Sequence, residues 1–227
     1  MNTYNNKLIM ASFIRGYLIS NNIKHSLIDK DLFSLSDLDI SELEKLGKEL
    51  ELKLYYFKEK ENLPRVNIVL GFLKNIYPVS LLDVGSGRGV FLFPLLKEFP
   101  NINVTSIDIL DKRIELLSNI SKGGVNNLKV IKDNICTFNE LDNSYQVVTL
   151  LEVLEHIKDY QKAIANAIRL SSDFIVITVP SKEDNNPEHI NLLTKDILTK
   201  EFNKHNITNL KFSSVNNHLV LVARKKA

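Results

Sequence analysis

The chain has 227 residues, 44% hydrophobic and 25% charged, an ordinary globular composition with length for one full domain and a small appendage, needing no disulfide or metal staple. A net charge of +2 is too small for the strongly basic face expected of a nucleic-acid binder, and the single cysteine, Cys136, excludes an internal disulfide and points to a reducing compartment. No apolar run approaches the roughly 18 residues of a membrane span, and Ser12, Arg15 and Gly16 break the N-terminal apolar stretch against a signal peptide, so the expected location is the cytoplasm.

Residues 1–77 read as helices. Leu8, Ile9, Phe13, Ile14, Tyr17 and Leu18 recur at helical spacing. Ser34–Asp37 offers cap residues for a second helix, whose apolar positions Leu38, Ile40, Leu43, Leu46, Leu50 and Leu54 alternate with Glu and Lys. Pro64 interrupts, and Val66, Val69, Leu70 and Leu73 make a further amphipathic helix that must stop near Tyr77, before Pro78. From Val79 the texture changes. Strands are predicted at 79–84, 103–107, 128–131, 146–151 and 174–179, with helices at 89–98, 111–120, 160–170 and 194–202 between or after them. Asp111 and Thr194 are the expected caps. The last segment reads as two strands around Asn216–Asn217, a hairpin signal. Such alternation of strand and helix argues for a parallel sheet covered on both faces, with an antiparallel hairpin at one end. The run Lys58–Glu61 and the basic tail Arg224–Lys226 read as solvated surface.

The sharpest local feature is the stretch from Leu81 to Phe91, LLDVGSGRGVF, which leaves a strand and opens a helix. Glycines at 85, 87 and 89 permit a tight turn and let a ligand lie against the main chain. In open α/β sheets, ligands bind at the carboxyl ends of the strands. Three aspartates fall at such ends. Asp83 leaves the first strand and suits an ammonium group or ordered water. Asp108 ends the second strand, at a distance from the loop that suits a ribose-binding carboxylate. Asp133 follows the third strand, where an adenine amino group would lie. Each alone is an ordinary strand-end or cap residue, but together they form a nucleoside site. A dinucleotide fold prefers G-x-G-x-x-G, so that a pyrophosphate meets the helix N-terminus. Here the spacing is G-x-G-x-G with Val90 following, and Asp83 would repel a pyrophosphate. The pattern therefore favours S-adenosylmethionine over NAD.

At these residues the chain resembles the class I S-adenosylmethionine-dependent methyltransferases. LLDVGSGRG resembles their first motif, Asp108 matches their ribose-binding acid, and Lys132–Asn134 matches the segment near the adenine. Leu151–Ile157, LEVLEHI, resembles a segment common in the small-molecule branch that includes ubiquinone-biosynthesis O-methyltransferases. Val179–Ser181 and His189–Thr194 are similar to later segments of that group. The resemblance covers residues 79–227 and implies a Rossmann-like fold: a seven-stranded, mostly parallel sheet of order 3-2-1-4-5-7-6 with strand 7 antiparallel. The organisation expected is a helical extension at 1–77 and a methyltransferase domain at 78–227. The implied cofactor is S-adenosylmethionine, with S-adenosylhomocysteine as product, held by Asp83, Gly85, Ser86, Gly87, Asp108, Ile109, Asp133, Asn134, Ile135, Leu151 and Glu152. The implied partner is a small-molecule acceptor methylated on O, N or C.

His156 and His189 are the candidate catalytic groups, since histidine titrates near neutral pH. The plainer readings make His156 a residue that packs beneath the loop and anchors it, and His189 a solvated loop residue. A sharper alternative groups Glu152, Glu155, His156 and His189 as divalent-metal ligands, because the RNA 3′-terminal ribose 2′-O-methyltransferases use a similar segment. Their arginine- and aromatic-rich surroundings are missing here, so no metal is expected. A third reading is a non-catalytic, cofactor-binding partner subunit. The N-terminal helices read either as packing for the sheet or as a lid over the acceptor pocket, with Tyr55, Tyr56 and Phe57 as candidate walls.

Overall fold

The computed structural model describes residues 3–183 and 185–225, so Met1, Asn2 and Lys226 of the basic tail lie outside the described residues. Helices α1 (Asn6–Ser20), α2 (Asp37–Glu49) and α3 (Pro64–Ile76) precede the first strand. The alternating part follows as β1 (Ser80–Val84), α4 (Leu92–Glu98), β2 (Asn103–Asp108), α5 (Asp111–Lys122), β3 (Leu128–Lys132), β4 (Tyr145–Leu151), α6 (Tyr160–Leu170), β5 (Ser171–Pro180), α7 (Lys195–Asn203), β6 (Asn209–Val215) and β7 (His218–Arg224). All seven strands form one sheet of order β3-β2-β1-β4-β5-β7-β6. Five strands are parallel, and β7 runs antiparallel to both β5 and β6. The order reverses between β1 and β4, which opens a crevice at the carboxyl end of β1.

Local chemistry explains most boundaries and corrects several. Ser36 caps α2 in a reciprocal box with Asp39, whose carboxylate accepts from the Ser36 N–H. Pro64 opens α3 as its first residue rather than interrupting a helix, because the missing N–H is unneeded there. Leu38 is 83% exposed, outside the buried face that Ile40 and Leu43 occupy. Asp111 is the first helical residue of α5 and not its cap; Leu110 holds that place, without a side-chain cap. The helix predicted from residue 89 begins at Leu92, because Gly89 has φ 80 and the chain is still turning.

The N-terminal helices share a core with the sheet. One hydrophobic cluster runs from Ile9 and Ile14 of α1 through Leu43 of α2 and Leu73 of α3 to Leu81 and Leu96. Helix α1 packs along α5 so closely that a Cβ at Gly16 would stand 1.8 Å from the Asn119 carbonyl oxygen, and one at Gly123 would stand 1.7 Å from that of Ser12. Arg15, 5% exposed, donates to the Ile28 and Lys30 carbonyls and pins the loop between α1 and α2. Helices α1 and α2 therefore back the sheet, while Leu63, Arg65 and Val66 reach the carboxyl-end crevice and Tyr55, Tyr56 and Asn6 reach the cavity on its flank.

Substituting Ala for Gly16 must separate α1 from α5. Overpacking of this kind costs about 1–3 kcal/mol, and a chain of this size loses about 2–4 °C of midpoint per kcal/mol. Thermal unfolding of Gly16→Ala is expected to fall by several degrees, and a midpoint equal to the parent's would refute the close packing.

Candidate active site

The loop after β1 is shaped by two glycines with different tasks. Gly85 has φ 68, and a Cβ there would lie 2.6 Å from Val153 Cγ2. Its N–H donates to the Ile107 carbonyl at 2.8 Å, which fastens the loop to β2. Gly87 has φ 56, yet the nearest atom to its absent Cβ is 3.7 Å away, so its bare face opens outward.

Asp83 holds this loop from below. It is 2% exposed and accepts from Ser86 Oγ at 2.5 Å and Thr149 Oγ1 at 2.7 Å. Ser86 Oγ also meets Ser106 Oγ at 2.6 Å. Burial pushes the Asp83 carboxyl up to about 6; the two hydroxyl donors oppose this, and the charge of Asp108 reinforces it. Asp108 ends β2, 8% exposed, and accepts from the Gly87 N–H at 3.3 Å and the Leu110 N–H at 2.9 Å. Two strand-end carboxylates thus fix the same loop.

A cleft of about 190 Å³ lies over the loop, walled by Leu63, Arg65 and Val66 from α3 and its approach, by Leu151 at the end of β4 and by Glu152 just after it. Glu152 has φ 58, a conformation that L residues adopt only when their surroundings enforce it. Its N–H donates to the Thr178 carbonyl at 2.9 Å, and Thr178 Oγ1 donates to its carboxylate at 2.8 Å. Arg65 Nε stands 3.7 Å and His218 Nδ1 3.0 Å from the same carboxylate. Arg65 and His218 were not legible in the sequence, because α3 and β7 meet Glu152 only in the fold. The mouth therefore carries cations at Arg65 and Arg88 and carboxylates at Asp83 and Glu152. That set fits the zwitterionic end of a methionine moiety, and Gly87 provides the open backbone beside it.

The residues expected around the adenine divide. Ile109 is 59% exposed at the rim beyond Asp108. Asp133 donates its N–H to the Asp108 carbonyl at 3.2 Å and accepts from the Asn134 N–H at 2.7 Å, which puts it beside Asp108 at the strand ends. The Ile135 side chain is 3% exposed and packs in the core, since Asn166 of α6 donates to the Ile135 and Phe138 carbonyls and draws this turn inward.

His156 and His189 line none of this cleft. They belong to a neighbouring zipper between the 3₁₀ turn Leu154–His156 and the loop at 186–191. His156 Nδ1 donates to the Glu188 carbonyl at 2.9 Å. The Glu155 carbonyl accepts from the Ile190 and Asn191 N–H groups, and the two imidazoles meet edge to face at 4.9 Å. One ligand atom each from Glu155, His156 and His189 lies within 4.8 Å of the others, a set able to hold a divalent ion. Glu152 stands outside that set, engaged by Arg65, Thr178 and His218.

A family model described as a methyltransferase domain matches residues 78–219. The chain belongs to this family, as a class I S-adenosylmethionine-dependent methyltransferase. The methyltransferase is 34% identical over 120 residues to the ubiquinone biosynthesis O-methyltransferase of Rickettsia akari, a match covering 52% of this chain and 43% of that protein. It is 32% identical over 140 residues to the ribosomal RNA small subunit methyltransferase G of Lactococcus lactis, covering 52% of this chain and 57% of that one. The match thus spans about half the length of these curated relatives. The magnesium protoporphyrin IX methyltransferase of Synechocystis, solved with bound S-adenosylhomocysteine, shares the fold with TM-score 0.57 at 14% identity, over 94% of this chain and 98% of that chain. That coverage takes in the N-terminal helices. No helix among the methyltransferase's described residues is long and apolar enough to cross a membrane.

The zipper geometry makes His156 a loop anchor. Losing one hydrogen bond of this kind costs about 0.5–1.5 kcal/mol, a two- to twelvefold rise in local opening. His156→Ala is expected to speed cleavage by a glutamate-specific protease at Glu188 by about that factor, with S-adenosylhomocysteine affinity within about twofold of the parent's. Unchanged proteolysis would remove the anchor role.

Proposed function

We propose that this methyltransferase carries a methyl group from S-adenosylmethionine to a small-molecule acceptor, with the cofactor laid across the β1 and β2 ends. The observation that carries the reading is the loop with Asp108 bound to the Gly87 N–H, under a mouth bearing Arg65 and Glu152. Asp108 retains lone pairs for ribose hydroxyls, with Ile109 at the rim and Asp133 and Asn134 beside it for the adenine. Gly85, Ser86 and Gly87 present backbone to the methionine tail, whose carboxylate pairs with Arg65 and whose ammonium faces Glu152 and the field of Asp83. Leu151 supplies an apolar wall.

When bound, the cofactor supplies a methyl group already activated on a sulfonium, so the protein's task is alignment and exclusion of water. Leu63, Val66 and Phe91 give the cleft the apolar surface for that exclusion. The O-methyltransferase activity named for the Rickettsia relatives supports oxygen as the accepting atom. The chain's net charge of +2 supports a small acceptor over a nucleic-acid strand.

Calorimetry with S-adenosylhomocysteine tests the site. Asp108→Ala is expected to weaken binding about 10- to 150-fold, the range for hydrogen bonds to a charged group; equal affinity would sink the assignment. Affinity is also expected to depend on pH. Below about 6 the buried Asp83 carboxyl is protonated in the free protein, whereas a bound ammonium favours its ionised form. Binding then releases a proton, so affinity climbs as pH rises through about 6, and Asp83→Asn should flatten that climb. A slope unaltered in the variant would assign the titration elsewhere.

A further inference from the structure

The run Lys58–Glu61 lies on no helix or strand, and by charge alone it reads as solvated surface. In the fold its Lys58, Lys60 and Glu61 wall a cavity of about 340 Å³ beside the cofactor loop. Leu63, Arg88 and Val90 line both this cavity and the cofactor cleft, so the two spaces are neighbours across a single side-chain partition. We propose that this cavity is the acceptor subsite and that it selects small molecules carrying a carboxylate or phosphate group, a step that rests on the cofactor reading given above.

Charge is the first reason. Lys58, Lys60, Arg88 and Lys97 line the cavity against one carboxylate, Glu61. A chain of net charge +2 has therefore concentrated cations beside its cofactor loop. The nearby competitor is weak: Glu59 reaches Lys97 at 3.5 Å but is itself 81% exposed, so an entering anion displaces it easily. Aromatic surface is the second reason. Tyr55 and Tyr56 stand with ring centroids 4.3 Å apart, and the Arg88 guanidinium lies 5.8 Å from the Tyr56 ring. Size is the third. A volume of about 340 Å³ falls within the roughly 300–1,000 Å³ of small-molecule sites.

The test is calorimetry on the full chain saturated with S-adenosylhomocysteine, using 3,4-dihydroxybenzoate and phenyl phosphate as anionic probes and catechol as the neutral one. At least one anion is expected to bind about tenfold or more tighter than catechol, and whichever does so identifies the headgroup. The double variant Lys58→Gln, Lys60→Gln is expected to weaken that anion about fivefold to thirtyfold, leaving catechol and S-adenosylhomocysteine affinities unchanged. Anions that bind no better than catechol, or a double variant that binds them as the parent does, overturn the anionic subsite while the cofactor reading stands. A parent chain that fails to bind S-adenosylhomocysteine overturns the cofactor reading itself.

Discussion

Asp83 sits at the end of β1 with 2% exposure, and its two hydroxyl donors, Ser86 and Thr149, join three pieces of the molecule. Ser86 belongs to the cofactor loop and Thr149 to β4, the strand across the reversal of sheet order. The carboxylate thus ties the loop to both lips of the crevice. Its burial carries an electrostatic cost, visible in a carboxyl pushed up to about 6. The geometry gained is a loop whose backbone already faces outward at Gly87, so little ordering remains for a ligand to impose.

Glu152 has a comparable role on the opposite lip. Held at φ 58 by Thr178, it gathers Arg65 from α3 and His218 from β7. The cleft is therefore assembled from the start, the middle and the end of the chain. This explains how a helical extension can belong to the site while sharing the sheet's core: α1 and α2 are fastened to the back of the sheet, and Leu63, Arg65 and Val66 reach the crevice.

Much of the fold was legible in the sequence because its signals are local. The glycine spacing at 85, 87 and 89, the strand-end positions of Asp83 and Asp108, and the alternation of strand and helix each follow from a few neighbouring residues. What failed to show depends on tertiary approach. Gly16 gives no sign in the sequence that α5 will come within contact of its backbone. Nothing in the run 133–135 announces that Asn166 of α6 will draw the Ile135 turn into the core. Lys58–Glu61 resembles any solvated charge run, and only the fold closes a cavity around it. Helix α4 starts three residues after the point where helical spacing begins, because left-handed glycines extend the turn.

The sheet order has a consequence for how the molecule comes into being on the ribosome. Strand β6 pairs with β7 alone, and β7 is inserted between β5 and β6. During vectorial synthesis β6 therefore emerges before its partner β7, and β5 keeps one edge bare until β7 arrives. Closure of that edge and delivery of His218 to Glu152 are then one event, so a nascent chain completes its hydrogen-bond ladder and its cofactor mouth together.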